Sequence, residues 1–184
     1  TIILAVLRSR LDATTALQAN EINHGGRNSR PLSEGARFLN STIPLSTLYA
    51  LIIDPGAIVA ISSDGSSSRV LLETEKAPDG IYVDPASSTI YFSTMGKWGP
   101  DFYAADGTIE SCKLDGTDRR LLVGNGETVT PKQLVLDRED GYLYWCDREG
   151  MRVMRCTLDG TDVKTLIRAG APGQQEDATR HCVG

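Results

Sequence analysis

A repeated hairpin constrains the fold of this chain more than any other feature of its sequence. Three segments share a glycine, a strand of mixed apolar and polar residues, and an Asp-Gly turn; they are residues 56–65, 107–116 and 150–160. A basic residue and a second apolar strand follow each turn. Asp-Gly between two β-rich runs indicates a tight hairpin, because glycine accepts the positive φ that such a turn requires.

A second pair of strands precedes the later two copies of this hairpin. Residues 80–94 and residues 133–147 each contain two β-rich runs joined by a turn. One period is therefore four strands, and its Asp-Gly turn recurs from Asp64 to Asp115 after 51 residues and to Asp159 after another 44. A four-stranded period of about 40–45 residues is typical of a β-propeller blade.

Two tetrapeptides in these strands resemble the Tyr-Trp-Thr-Asp repeat of the LDL-receptor class B (YWTD) family. They are Tyr91-Phe92-Ser93-Thr94 and Tyr144-Trp145-Cys146-Asp147, with which the Leu-Asp-Gly-Thr-Asp turns at 114–118 and 158–162 align. The resemblance covers roughly residues 48–184 and implies an all-β fold, a six-bladed β-propeller of four-stranded antiparallel blades. The first copy, at 48–54, departs most, since it has neither Trp nor Thr-Asp.

The chain is shorter than a six-bladed propeller, which needs roughly 250 residues against the 184 present. We expect about three blades, divided as follows: residues 1–47 outside the clear repeat, 48–78 a partial blade, 79–130 and 131–180 full blades, and 181–184 the start of the next. A half-propeller would expose sheet edges and an apolar blade face, which soluble proteins avoid. We therefore expect another chain or segment, either a second polypeptide or a second copy, to complete the propeller.

Charge, cysteine spacing and hydropathy exclude several classes of function. The net charge is −5, so a nucleic-acid surface is not expected. The longest apolar run, residues 1–7, is too short to span a bilayer, and it fits an edge strand or a short buried segment. The four cysteines match no zinc pattern, and we expect neither a metal nor a cofactor.

Asn40-Ser41-Thr42 is an N-glycosylation acceptor, which favours a secreted or secretory-pathway protein.

Propellers bind ligands at the mouth of the central channel, through loops that enter the innermost strand and loops between the middle strands. An insertion at 95–106 carries three aromatic residues, Trp98, Phe102 and Tyr103; it either packs on the propeller face or lines a pocket for an apolar substrate. Other loops lead into innermost strands, so that we expect five residues at the channel: Asp79, Lys132, Gln133, His181 and Cys182.

Each of these residues has a chemical and a structural interpretation. Lys132 and Gln133 would hydrogen-bond a ligand carbonyl, or simply be solvated. His181 would act as an acid or base near neutral pH, although no partnered Asp or Ser is evident. We name these three as candidate catalytic residues, and Asp79, Cys182 and the three aromatic residues as candidate substrate-binding ones. Cys182 is otherwise an inert packed thiol or half of a disulfide.

Four residues of the repeat motifs are interpreted as structural: Trp145, Asp147, Asp84 and Asp137. The aromatic side chain would fill the wedge between adjacent blades. A partly buried Asp must be satisfied by neighbouring backbone or basic groups.

Residues 130–133, 147–155 and 181–184 are similar to those of fungal stand-alone YWTD propellers. These include hetero-Diels–Alderases of tropolonic sesquiterpenoid biosynthesis. That resemblance implies a cofactor-free enzyme that holds a tropolone quinone methide, a small apolar metabolite, against an alkene such as humulene. The alternative is a non-catalytic extracellular module that binds a ligand or a protein. A third function, hydrolysis of a lactone or ester, usually needs a channel-bound metal, for which the sequence shows no ligand set.

Overall fold

The computed structural model describes residues 2–6, 47–97 and 103–182. The described residues form three four-stranded antiparallel sheets and one short 3₁₀ helix, Ala178–Arg180. The first sheet contains β1 (Ile2–Val6), β2 (Thr47–Ile52), β3 (Ala57–Ser62) and β4 (Ser68–Glu73); the second contains β5 (Pro78–Asp84), β6 (Thr89–Thr94), β7 (Thr108–Lys113) and β8 (Arg120–Val123); the third contains β9 (Pro131–Asp137), β10 (Tyr142–Asp147), β11 (Arg152–Thr157) and β12 (Lys164–Arg168). The predicted all-β fold is confirmed.

Each sheet is a propeller blade, because its strands pair in the order in which they occur in the sequence. The innermost strands of successive blades lie side by side: β1 contacts β5, and β5 contacts β9. Three consecutive blades therefore surround part of a channel, in agreement with the expected partial propeller.

The first blade gains its innermost strand from the N-terminal apolar run. β1 pairs with β2 in antiparallel register, with Ile3 opposite Leu51. The sequence placed residues 1–47 outside the repeat and began a partial blade at residue 48, whereas the structure shows a four-stranded sheet. Because residues 7–46 separate the two strands, the repeat period does not reveal β1.

Two apolar cores hold the blades together, one on each side of the second blade. Alternate residues of a strand point to opposite faces, so Ile90 and Phe92 of β6 enter the core with the first blade, while Tyr91 enters the core with the third. Trp145 is almost completely buried in that second core, and its Nε1 donates to Thr128 Oγ1 at 3.3 Å. The aromatic residue of the repeat thus lies between two blades.

The Asp-Gly turns contact the outermost strand of the preceding blade. Gly116 has a φ of +89°, and a Cβ placed on it would lie 2.4 Å from the carbonyl oxygen of Leu71. Gly160, with a φ of +83°, approaches Leu122 equally closely. At Gly65, in the first blade, no atom of the described residues lies within 4 Å of such a Cβ. The second and third turns therefore need glycine for both backbone conformation and space.

The third blade presents an apolar face on the side away from the second blade. Val135 is 61% exposed and Ile167 is 62% exposed, and Tyr144 and Val153 lie between them in the strand pairing. The equivalent positions of the second blade are Tyr82, Tyr91, Ile109 and Val123, which pack in the core with the third blade. This exposed face therefore repeats the residue pattern of a buried contact between blades.

Candidate functional site between the second and third blades

A cavity of about 190 Å³ lies at the end of the blades where the predicted channel-facing loops meet. Its lining comes from the start of β9 and from the connections β4–β5, β6–β7, β8–β9 and β10–β11: Ala77, Met95, Gly96, Lys97, Thr130, Lys132, Arg148 and Glu149. Depressions of about 570 and 380 Å³ beside the Asp-Gly turns are larger. We assign the site to the smaller cavity, because buried charged groups converge only there among these three.

The position of Lys132 follows from a close approach of two innermost strands. A Cβ on Gly80 would lie 2.3 Å from the carbonyl oxygen of Lys132, so only glycine permits β5 and β9 to lie this close. Ser93 Oγ accepts a hydrogen bond from Gly80 N and donates one to the Lys132 carbonyl, both at 2.8 Å. The backbone of Lys132 is thereby fixed to the second blade.

The side chain of Lys132 forms a buried ion pair with Asp79. Its Nζ lies 3.3 Å from Asp79 Oδ2, and the two side chains are 12% and 9% exposed. The ammonium also donates to Met95 Sδ at 2.6 Å. Asp79 Oδ2 accepts no hydrogen bond from the described residues, because the ion pair is close without being aligned as a hydrogen bond. A buried carboxylate oxygen with unused accepting capacity can take a donor from a bound molecule.

Glu149 belongs to the same site and was not identified from the sequence. Its carboxylate binds the Arg148 guanidinium and accepts a hydrogen bond from Thr130 Oγ1, while its own N–H donates to that hydroxyl at 2.9 Å. Burial acts to raise the pKa of Glu149, but the hydrogen bonds from Arg148 and Thr130 outweigh it and the pKa lies below its ordinary value. The cavity wall therefore carries an anion beside Lys132.

A signal for Glu149 was present in the sequence. The connection between β10 and β11 occupies the place of the aromatic insertion in the second blade, and such connections were expected to reach the channel. Because this connection is short, nothing in the sequence distinguished Arg148 and Glu149 as candidate site residues.

The structure does not bring the other candidate catalytic residues to the cavity. Gln133 is exposed and does not line the cavity. His181 lies just after the 3₁₀ helix, where its Nε2 donates to the Gln175 carbonyl at 2.6 Å. Cys182 follows it and is half-buried. Of the five expected channel residues, Asp79 and Lys132 are therefore the two that meet.

The aromatic insertion is described only at its two ends. Trp98 and Phe102 lie outside the described residues, as does the glycosylation acceptor Asn40, and Tyr103 is largely exposed. The ends are fixed beside the cavity: Lys97 N donates to Asp106 Oδ2 at 3.1 Å, and Met95 N donates to the Ala77 carbonyl at 2.7 Å. The insertion thus begins and ends at the cavity rim.

Asp147 connects the third blade to the loop that enters it. Its side chain has no exposed surface, and its carboxylate accepts from the backbone N–H groups of Val129 at 3.0 Å and Thr130 at 2.8 Å. Arg152 Nε donates to the same carboxylate at 2.9 Å. The negative charge of Asp147 therefore fixes the approach to β9, on which Lys132 lies.

The two other motif carboxylates, Asp84 and Asp137, are the last residues of β5 and β9, at the opposite end of the blades. Asp84 is buried and accepts hydrogen bonds from Ser87 Oγ and from Arg138, a residue of the next blade. Burial acts to raise the pKa of Asp84, but the hydrogen bonds from Ser87 and Arg138 lower it below its ordinary value. Asp137 accepts from the backbone N–H groups of residues 139–140.

Within the described ranges, no group of three or more His, Cys, Asp or Glu side chains is arranged to hold a metal ion. The same part of the chain contains no helix long and apolar enough to cross a membrane.

Comparison with known proteins gives fungal relatives and a solved structure of similar fold. No family profile matches the chain. It is 39% identical over 158 residues to low-density lipoprotein receptor-related protein 1 of Pyricularia oryzae, covering 78% of this chain and 50% of the relative. It is 36% identical over 132 residues to the 3-hydroxyacyl-CoA dehydrogenase-like protein LAM1 of Cochliobolus heterostrophus, covering 70% of this chain and 27% of the relative.

The solved nidogen/laminin complex contains a chain that matches with a TM-score of 0.55 and 28% identity, over 66% of this chain and 43% of that one. The present chain thus spans half or less of the length of each of these proteins. The name of the first relative, the repeated tetrapeptides and the three stacked four-stranded blades agree with one another. The chain is therefore a β-propeller module of the YWTD, or LDL-receptor, type.

Proposed function

We propose that the cavity between the second and third blades binds a small apolar metabolite and that the chain catalyses a hetero-Diels–Alder cycloaddition in secondary metabolism. The observation that carries this proposal is the buried Lys132–Asp79 pair, whose ammonium lines the cavity and whose carboxylate keeps an unused acceptor. The remaining predicted contacts, from Gln133, His181, Cys182 and the aromatic insertion, stay predictions.

The reaction requires the protein to bind the two reaction partners and to polarise the heterodiene. A heterodiene with a carbonyl oxygen adds to an alkene in one step: one C–C bond and one C–O bond form, and three π bonds become one. No electron or proton enters or leaves, so no cofactor is needed. Holding the two partners together, and placing a positive charge near the heterodiene oxygen, both lower the barrier.

The cavity provides separate surfaces for the two ends of such a substrate. Lys132 would donate to the carbonyl oxygen and withdraw electron density from the heterodiene, while Asp79 holds the ammonium in place. Ala77 and Met95 supply apolar wall. Gly96 gives a rim without a side chain, at the point where the aromatic insertion begins.

We also infer that further blades complete the channel. The apolar face of the third blade supports this, since it repeats the pattern buried between the second and third blades. We place the protein in the secretory pathway on the glycosylation acceptor at Asn40.

The test is Lys132→Met, which removes the charge and keeps the length of the side chain. Conversion of humulene and a tropolone quinone methide precursor, measured by product formation, should fall about 10²- to 10³-fold, the usual loss when a polarising donor is removed. Lys113→Met is the matched control. Lys113 is exposed and is the last residue of β7, at the end of that strand away from the cavity. Equal turnover of the Lys132→Met variant and the wild type would rule out this role for Lys132.

A second candidate function is a non-catalytic protein-binding module. The similarity to a chain solved within a nidogen/laminin complex favours it. This function predicts no binding of a stable tropolone by calorimetry, whereas the enzyme should bind it and lose that binding in Lys132→Met.

A further inference from the structure

The depression of about 570 Å³ on the first blade shares no lining residue with the Lys132 cavity. It lies where β2 begins, β3 ends and β4 begins, beside the Asp-Gly turn of this blade. The residues that line it include Thr47, Asp64, Ser67, Ser68 and Arg69. Sites for small molecules in proteins usually enclose about 300–1,000 Å³, so the depression is large enough to hold one.

The strand pairing identifies the equivalent positions in the other two blades. Each blade has a basic residue near the start of its outermost strand, opposite the same position of its third strand: Arg69 opposite Ala60, Arg120 opposite Ser111, and Lys164 opposite Arg155. The side chains around these three cations can therefore be compared directly.

In the second and third blades, an aspartate two residues earlier neutralises the cation. Arg120 Nε and Nη2 donate to Asp118 Oδ1 and Oδ2 at 3.1 and 2.9 Å, and Lys164 Nζ lies 2.7 Å from Asp162 Oδ1. In the first blade the corresponding residue is Ser67. Among the described residues, the Arg69 side chain forms neither an ion pair nor a hydrogen bond. Its N–H donors are therefore available to a ligand.

The third blade also fills the space that the first blade leaves open. The Arg155 guanidinium lies 3.9 Å above the centre of the Tyr142 ring, and its Nη2 is 3.5 Å from Asp162 Oδ2. The first blade has Ala60 in place of Arg155 and Thr47 in place of Tyr142. Both replacements are smaller, so the first blade combines an open volume with a cation that no carboxylate of the chain neutralises.

We propose that this depression binds a hydroxylated carboxylic acid, such as a sugar acid, whose carboxylate takes at Arg69 the place that Asp118 has at Arg120. The planar fork of a guanidinium matches a carboxylate through two parallel hydrogen bonds. The hydroxyls of Thr47, Ser67 and Ser68 make no hydrogen bond with the described residues. They can therefore donate to, or accept from, the hydroxyls of the ligand.

The nearby acidic groups favour a ligand with a single negative charge. Asp64 lines the depression, and its carboxylate accepts from Ser66 N at 3.0 Å and from Ser66 Oγ at 2.8 Å. It remains an anion beside Arg69, and it would repel a doubly charged phosphate more than a carboxylate. The proposal is independent of the proposed cycloaddition, since it concerns neither Lys132 nor the cavity.

The experiment titrates the ¹⁵N-labelled chain with glucuronate and follows the arginine Nε–H signals by NMR. The expected result is a saturable shift of the Arg69 signal. Glucose, which has the hydroxyls without the carboxylate, and inorganic phosphate, which has the charge without the hydroxyls, should each bind at least about tenfold more weakly at equal ionic strength, because each loses one set of the hydrogen bonds.

Arg69→Gln removes the charge from a side chain that makes no contact of its own, so we expect the variant to fold. Glucuronate binding, followed in this variant through the backbone amides of Ser67 and Ser68, should weaken about tenfold or more. Arg120→Gln is the matched control, because Asp118 already neutralises Arg120, and it should bind glucuronate as the wild type does.

The titrations of the wild type do not depend on either variant. An Arg69 signal that stays in place throughout the glucuronate titration would overturn the proposal. So would glucose or phosphate binding as tightly as glucuronate, or equal losses of binding in Arg69→Gln and Arg120→Gln.

Discussion

Replacing Asp147 by Asn tests whether one buried charge holds the third blade to the loop that precedes it. The carboxylate accepts from two backbone N–H groups and from Arg152 Nε, at 2.8–3.0 Å, and has no exposed surface. In Asp147→Asn, one of the two oxygens becomes an NH₂ donor that faces other donors, and Arg152 loses its counter-charge. Breaking a buried pair by removing one partner typically destabilises a protein by about 3–5 kcal/mol.

The lower end of that range applies here, for a structural reason. Arg152 keeps some exposure, its side chain being 16% accessible, and its Nη2 still donates to the Glu127 carbonyl at 2.6 Å. Water and this remaining contact compensate part of the lost charge. We therefore expect a loss of about 3 kcal/mol, or roughly a 150-fold change in the folding equilibrium, since about 1.4 kcal/mol is tenfold.

The assay is urea denaturation followed by tryptophan fluorescence, because Trp145 lies two residues from the substitution. Asp159→Asn is the matched control: that carboxylate also accepts from a backbone N–H, of Thr161 at 3.0 Å, but is exposed. We expect a small change in the control and an unchanged dependence on urea in both variants. If the two variants unfold at the same urea concentration, the reasoning from burial is wrong.

Three further predictions concern the contacts between blades. Gly80→Ala should destabilise the chain by about 1–3 kcal/mol in thermal unfolding, because its Cβ would meet the Lys132 carbonyl; an unchanged melting temperature would contradict the close approach of β5 and β9. Trp145→Phe should destabilise it by about 1–3 kcal/mol in urea, through the smaller ring and the lost bond to Thr128, and a value near zero would show that the core readjusts. Asp84→Asn should be less stable than the wild type at neutral pH. The difference in stability should vanish as the pH falls through the lowered pKa of Asp84, because the stabilisation exists only while the carboxylate is charged. Acid-unfolding curves of the two proteins that stay equally separated at every pH would refute this.

The blades could be predicted from the sequence because their signals are local. The Asp-Gly turns at 115–116 and 159–160 and the alternation around Trp145 each occupy fewer than ten residues, and the repeat aligns them. β1 lacks such a signal, since its partner β2 begins only at Thr47. Strand pairing across a long separation depends on contacts that no local pattern contains.

The candidate site was predicted in part, for a similar reason. Counting back from the innermost strands placed Asp79 and Lys132 at the channel, and the structure pairs them. The same counting included Gln133 and His181, but the direction of a side chain and the path of a long loop are not set by position in the repeat. Glu149 acquires its role from Thr130, nineteen residues away, which the sequence alone does not join to it.

The turn glycines at 116 and 160 imply that the spacing between blades is encoded within each hairpin. An asparagine would tolerate the positive φ at either position, yet its Cβ would strike the carbonyl of the neighbouring blade, at Leu71 or Leu122. Such a substitution would preserve the hairpin and change the angle at which two blades meet. A duplicated blade would therefore carry, in the glycine of its own turn, the residue that sets its distance from the preceding blade.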